Sequence, residues 1–600
     1  MNLPFLFRRA RSRLKPESVL SILFMLLLAY VVVLPLFVMV RETFIVHPME
    51  RFQIPGSKAG DYTLAHWLKV LTGELAWGAF YKPLINTLIV SSLISLLSLL
   101  IGGGLAWLVV RTDLPWKKLV SNLAIIPYIM PSWSLALAWI TLFKNQRVGG
   151  SLGLFEYLTG ISLPNWFSYG MFPIVITLSL HYFPFSFMLI GGALRNIDSQ
   201  LEESAELLGA NRQQILRKIV FPLVAPVLFS SFLLTFSRGI GTFGTPAFLG
   251  GPVRFYMLST MLYANIVGQR PGLGYIITLV MILFGALVLY MDQRMLGERK
   301  SFVTISGKGG MSAPFHLGSA RTVVTLSVLV FLFLVTVIPF LILAIESFML
   351  FPGNYSLSNL SLHYWIGPAS QTIGIGSSEA GILRNAAILK ALWNSVQLGI
   401  LVALICGIGG SLIGYTIVRT RGTWKSSLLD QLSFIPYLIP SIGFGAIFLA
   451  LFAVPRGPIP SLYGTLTLLV LAASVKYLPY STRAGKGAIL QIGPELEEAA
   501  IMSGAPWVTR IGRIIFPLQK AAFFSGLLLP FISAMRELSL VVLLATPGTD
   551  LATTITVKFT DRGWYPYTNG IMVLIVLTIL LITAVSRKLM KTDLAKGIGG

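Results

Sequence analysis

The sequence predicts an all-α integral membrane protein of about twelve transmembrane helices, arranged as two tandem six-helix repeats. Three observations predict it. Hydrophobic residues make up 55% of the 600 positions and charged residues only 12%, against roughly 25% charged in soluble domains. The apolar residues gather into runs of about 20, the length that crosses a bilayer with every backbone polar group satisfied inside the segment. Three short segments of the first half recur, in the same order, in the second.

The elements follow in chain order. Arg8, Arg9, Arg11 and Arg13 precede an uncharged run from Val19 to Val40. That run exceeds the roughly 7–15-residue apolar core of a secretion signal and carries no small-residue cleavage site, so it reads as a retained first helix. The spans expected are 19–40, 84–110, 119–143, 169–192, 220–237, 274–291, 322–345, 392–418, 428–453, 461–482, 518–544 and 570–586. An even number puts both termini on one side. Arg111, Lys117 and Lys118 crowd one short loop, and Arg419, Arg421 and Lys425 the equivalent one. Cytoplasmic loops carry such excess, so both termini are expected in the cytoplasm. Positive-inside loops also account for the net charge of +23, and no nucleic-acid partner is expected.

The repeat is explicit. Ile126-Pro127-Tyr128-Ile129-Met130-Pro131-Ser132 returns as Ile435-Pro436-Tyr437-Leu438-Ile439-Pro440-Ser441. Val110-Arg111-Thr112 returns as Val418-Arg419-Thr420, and Tyr182-Phe183-Pro184-Phe185-Ser186 as Tyr477-Leu478-Pro479-Tyr480-Ser481. The expected divisions are a basic N-terminal segment with first helix and outer loop (1–83), a first core (84–292), a Gly-, Ser- and Lys-rich linker (293–320), a seventh helix with outer loop (321–391), a second core (392–590) and a tail (591–600). The aromatics of the two outer loops, among them Trp67 and Trp365, read as packing and interfacial anchors before a docking surface.

The most informative stretches lie on the cytoplasmic side. One runs from Leu201-Glu202-Glu203-Ser204-Ala205 through Gly209 to Pro222, the other from Leu496-Glu497-Glu498-Ala499-Ala500 through Gly504 to Pro517. The two keep register without a gap. Each predicts a short helix, a break and a second helix returning to the bilayer. Ser199-x-x-Glu202 has the spacing of a capping box, and Gly493-Pro494 suits a helix start. Gly209 and Gly504 can take the left-handed conformation that ends a helix, after which Asn211 or Pro506 opens the next. A merely solvated loop would need neither the glycine spacing nor the agreement between copies.

These residues resemble the cytoplasmic signature of ABC-importer permeases that work with solute-binding proteins: Glu-Ala-Ala, three residues, Gly, nine residues, Ile, one residue, a large apolar residue, then Pro. Glu498 through Pro517 fits at each listed Glu, Ala, Gly, Ile and Pro. The first copy departs once, with Ser204 for Ala, and both carry Phe (Phe221, Phe516) where Leu is usual. The resemblance covers about 84–290 and 392–586. It implies that each bend is a coupling helix seated in a cleft of a separate ATPase subunit. Glu203, Ala205, Gly209, Glu498, Ala499, Ala500 and Gly504 would be its contact and turn residues. Two bends imply two copies of a cytoplasmic ABC ATPase, a periplasmic solute-binding protein, and a place in the bacterial inner membrane. The fused two-half form is similar to iron(III) importers, and also to thiamine and aminophosphonate permeases; unfused relatives carry polyamines, sulfate and sugars. A secondary transporter or channel remains the competing class, though it has no use for the bends.

The chain itself shows no chemistry of its own. A phosphate-binding loop needs G-x-x-x-x-G-K-[ST]; Gly307-Lys308 and Gly485-Lys486 are each followed by Gly. No cofactor, metal site or catalytic residue is expected, ATP being used by the partner. Cys406 lies alone in an apolar run and reads as packing. Polar groups inside spans are functional candidates. His181 and Lys476, placed alike before the shared Tyr-x-Pro-x-Ser, read as snorkelling toward the cytoplasm, and Arg536-Glu537 as a local ion pair. Pro127, Pro131, Pro436 and Pro440 are expected to kink the third helix of each half and, with Ser132 and Ser441, to line the pore. The alternative is that the prolines only pack between helices.

Overall fold

The computed structural model describes residues 16–48, 50–52, 54, 56–297, 315–369, 374, 378–456 and 460–590. The N-terminal arginine cluster, most of the expected linker and the tail lie outside them. The first half runs α1 (Pro16–Glu42), α2 (Trp77–Arg111), α3 (Lys117–Ile129), α4 (Ser132–Phe143), α5 (Met171–Arg195), α6 (Ser199–Leu207), α7 (Arg212–Gly241), α8 (Leu258–Val267) and α9 (Pro271–Arg294). The second repeats the order as α10 (Arg321–Ser347), α11 (Ala386–Arg419), α12 (Trp424–Leu438), α13 (Ser441–Phe452), α14 (Leu466–Leu490), α15 (Glu495–Met502), α16 (Trp507–Met535), α17 (Ala552–Asp561) and α18 (Tyr565–Ser586).

Among the described residues nine helices are long and apolar enough to cross a membrane, and eleven spans result if two bent pairs are each counted as one. The twelfth, α14, has 25 residues, a length of about 37 Å at 1.5 Å per residue, but Lys476, Arg483 and Lys486 dilute its apolar content.

The expected third span of each half is not a kinked helix but a sharp corner. α3 and α4 meet at 90°, α12 and α13 at 108°. Pro131 and Pro440 stand at the corners with ψ of 137° and 141°. The residue before a proline avoids helical geometry, and proline offers no N–H to continue the ladder. The eleventh span also moves: its helix ends at Met535 rather than continuing to 544, and reaches back to Trp507.

A second proline effect recurs four times. The wide turns at Ala29–Val33, Trp77–Tyr81, Leu216–Val220 and Ile511–Ile515 are each followed by a residue and then a proline: Pro35, Pro83, Pro222 and Pro517. The ring collides with the preceding turn and takes away a donor; a π-turn relieves both without breaking the helix.

α2 packs closely on α5 and α7, and α11 on α14 and α16. Glycine sets the spacing: a Cβ on Gly102 would lie 2.4 Å from the carbonyl oxygen of Phe183, and one on Gly414 2.5 Å from the amide of Lys486. Small residues let membrane helices approach in this way. The first helix of each half crosses over. α1 packs on α12 and α13 of the second half, and α10 on α3 and α4 of the first.

Candidate functional site

The first candidate region is the pair of bends that runs from Asp198 to Pro222 and from Pro494 to Pro517. α6 is capped by Asp198, whose carboxylate accepts from the amide of Gln200 at 3.0 Å; the cap falls one residue before the expected Ser199. α15 begins at Glu495 with Pro494 as its cap, one residue later than expected. Gly209 has φ +81° and Gly504 φ +78°. Past each glycine the amides of Ala210 and Ala505 donate back to the carbonyls of Ala205 and Ala500, both at 2.9 Å. This is the six-to-one closure that ends a helix through a left-handed residue. Asn211 then caps α7, in a reciprocal pair with Gln214 at 2.9 Å, and Pro506 caps α16.

Glu203, Glu498, Ala499, Gly209 and Gly504 are exposed, while Ala205 and Ala500 are half-buried. Their neighbours Glu202 and Glu497 face inward. Arg111, in the last turn of α2, pairs with Glu202, and Arg419, in the last turn of α11, with Glu497 at 3.3 Å. Tyr415 also donates to Glu497 at 3.1 Å. The tips of the bends are bare and apolar: Leu207 and Leu208 are each 89% exposed and Met502 88%. Sequence reasoning passed over both the clamp and the tip. The clamp was legible, because Val-Arg-Thr repeats at the end of each second span.

The second region is a cavity of about 180 Å³ between the halves. Ser132, Pro440 and Ser441 line it. Pro127, Pro131 and Pro436 do not; their part is to free carbonyls around it. The carbonyl of Pro127 would be bonded by the amide four residues on, but that residue is Pro131; Pro436 stands in the same relation to Pro440. His181 takes the first at 2.9 Å. Lys476 takes the second at 3.0 Å and also donates to the carbonyl of Ile439. A buried carbonyl left unbonded is costly where no water reaches it. His181 and Lys476 therefore do not snorkel. Lys476 sits near the middle of α14, because that helix runs on to Leu490.

Arg238, at the end of α7, donates to the phenol oxygens of Tyr128 in the first half at 2.6 Å and Tyr437 in the second at 3.4 Å. Arg536 of the second half donates to the carbonyl of Tyr128 and stands over its ring at 4.8 Å. Tyr128 is thus held between two guanidiniums. Arg536 and Glu537 do not form the expected local pair: Glu537 accepts from the phenol of Tyr477 and from the amide of Leu540 at 2.8 Å. Among the described residues no group of three or more His, Cys, Asp or Glu could hold a metal ion. Cys406 is buried.

Comparison with known proteins places this geometry. The chain is 26% identical over 521 residues to the ferric transport system permease protein FbpB of Actinobacillus pleuropneumoniae, covering 84% of this chain and 71% of that one. It is 27% identical over 483 residues to the putative ferric transport system permease protein FbpB 1 of Haemophilus influenzae, covering 78% and 71%. A sulfate transport system permease protein, CysT of Salmonella typhimurium, is 26% identical over 189 residues, or 30% of this chain and 66% of that one. Residues 98–299 and 399–591 each match the family of binding-protein-dependent transport system inner membrane components, and this multi-pass membrane chain belongs to it as an ABC-importer permease.

Proposed function

We propose that the chain is the pore of an ATP-driven iron(III) importer in the bacterial inner membrane, both termini in the cytoplasm. Two copies of a cytoplasmic ABC ATPase would dock on α6 and α15, and a periplasmic solute-binding protein on the opposite face. The ATP is used by those partners; this chain holds no cofactor. The observation that carries the reading is the pair of matched bends, each presenting an exposed carboxylate (Glu203, Glu498) beside an apolar tip on a turn closed by glycine. Ala205, Ala499 and Ala500 keep that surface low. Charge supplies register and the apolar tip supplies affinity, a combination suited to a joint that moves as one piece.

Force has two routes inward. Drawing α6 and α15 together pulls on α7 and α16 through the caps at Asn211 and Pro506. It also pulls on α2 and α11 through Arg111–Glu202 and Arg419–Glu497. Of these, α7 and α16 line the cavity, and α2 and α11 pack against them. Iron(III) is supported by the two ferric relatives, whose similarity runs across both halves. A second solute class, an oxyanion, is supported by the sulfate relative, which matches over 30% of this chain.

The test is replacement of Glu203 and Glu498 together by Lys in cells dependent on uptake. Loss of uptake and of ATPase co-purification, with unchanged membrane abundance of the chain, is expected. Persisting uptake with the ATPase still bound would overturn the coupling role.

A further inference from the structure

We propose that the cavity between the halves takes its solute as an oxygen-rich species of net negative charge. That species is either a free oxyanion or a ferric ion wrapped in an anionic oxygen chelator, and in neither case a bare cation. The inference rests on the importer reading above and narrows what crosses.

The charges decide it. Two guanidiniums, Arg238 and Arg536, line the cavity, and among its described lining residues Glu537 is the sole carboxylate. Even with Lys476 counted as neutral, fixed cations outnumber the carboxylate two to one. Among the described residues neither guanidinium is in an ion pair; their hydrogen bonds go to the phenols of Tyr128 and Tyr437 and to one carbonyl. The Nε of Arg238 is buried with no hydrogen-bond partner among the described residues. Glu537 is already engaged by Tyr477 and Leu540.

Arg238 and Arg536 are half-buried, and a partly desolvated guanidinium without an ion-pair partner keeps a cost that an arriving anion relieves. Guanidinium also offers planar paired donors matched to carboxylate, sulfate and phosphate oxygens. Around it stand hydroxyls, Ser132, Ser441 and Tyr480 among them, that can donate to further oxygens. A bare trivalent ion would meet the same two charges as a barrier, which grows with ionic charge and with low dielectric.

The test uses the full chain in lipid nanodiscs, titrated calorimetrically with four probes. These are sulfate, phosphate, ferric dicitrate as an anionic chelate, and hexaamminecobalt(III) as an inert trivalent cation. Saturable binding of sulfate or phosphate is expected if the cargo is a free oxyanion, and of ferric dicitrate if it is a chelated ferric ion. Hexaamminecobalt(III) should not bind. Arg238→Gln and Arg536→Gln should each weaken the bound anion by about tenfold, the worth of one charge-assisted hydrogen bond, while Arg238→Lys and Arg536→Lys should retain most of it. Saturable hexaamminecobalt(III) binding, failure of every anion to bind, or glutamine variants that bind as tightly as the parent would overturn the proposal. If the glutamine variants do not fold, the four titrations of the parent chain decide alone. No ATPase is needed, and Glu203→Lys/Glu498→Lys lies outside the cavity and should bind anions normally. A failed coupling test and a failed anion test are therefore separate results.

Discussion

Lys144, just past the end of α4, lies 3.3 Å from Glu346 near the end of α10, and the two residues belong to opposite halves of the chain. Each is 1% exposed. Thr141 and Asn569 also donate to the same carboxylate, Asn569 at 2.9 Å. The counterpart joins Glu42, at the end of α1, to Arg456 beyond α13 at 2.9 Å. Each crossed-over helix is thus fastened at one end by an acid–base pair.

Removing one partner of a fully buried pair leaves the other charge uncompensated. Glu346→Ala should cost about 3–5 kcal/mol and lower the unfolding temperature of the purified protein markedly. Glu42→Ala should cost less, because the Arg456 side chain is 25% exposed and water can take over. In a double-mutant cycle, Lys144→Met with Glu346→Leu should destabilise less than the sum of the single changes.

The apolar tips have no packing role to lose. Leu207→Asp with Met502→Asp should leave the unfolding temperature unchanged, since both side chains are almost wholly exposed. The same pair should abolish ATPase co-purification in a pull-down. Retained ATPase binding would place the docking surface elsewhere.

The two turn glycines can be tested against conformation alone. A Cβ on Gly209 or Gly504 would meet nothing within 4 Å, so alanine there carries only the left-handed backbone cost of roughly 1–2 kcal/mol. Asparagine, which tolerates that conformation better, should cost less. Hydrogen exchange of the Ala210 and Ala505 amides, which close the turns, reads the difference directly.

The loop after α1 carries a pH dependence. His66 and Glu50 are hydrogen-bonded at 2.9 Å and buried. Burial opposes charge on both, and is outweighed for Glu50 by His66, and for His66 by Glu50 and the carbonyl of Thr43. The Glu50 carboxyl therefore lies below its ordinary 4.5 and the His66 imidazole above its ordinary 6.5. The Glu50 contribution is present above about pH 4.5 and lost as pH falls through its lowered value. The His66 contribution is complete below about pH 6.5 and lost as pH rises through its raised value. The loop should be most protected between those limits, and the protection factors of residues 62–72, taken relative to the intrinsic exchange rate at each pH, should fall toward alkaline pH. His66→Gln should flatten the alkaline limb.

Much of this was legible before any coordinates. The duplication and the glycine-ended bends are legible from spacing alone, because each is a local pattern. The Pro127–Pro131 and Pro436–Pro440 pairs foretold a disturbance, but a proline pattern does not state an angle, and a kink became a corner of 90° or more. Lys476 reads as near a cytoplasmic end if its span stops at 482, whereas α14 runs on eight residues to Leu490; His181 lies mid-helix in α5, and its partner, the Pro127 carbonyl, is a tertiary contact. The Tyr128–Arg238–Arg536 cluster draws on three distant segments, and no periodicity within one helix reports such a meeting. The crossing of α1 and α10 is likewise a tertiary choice that hydrophobic runs cannot encode.

That crossing bears on how such a chain could be divided. A cut between residues 297 and 315 would leave two polypeptides, each still wrapped by a helix of the other and clipped to it by Glu42–Arg456 or Lys144–Glu346. Covalent continuity then matters for equal dosage of the halves at synthesis, and the clasp itself keeps them together once inserted. Separately translated halves should therefore find each other and co-elute as a stoichiometric pair.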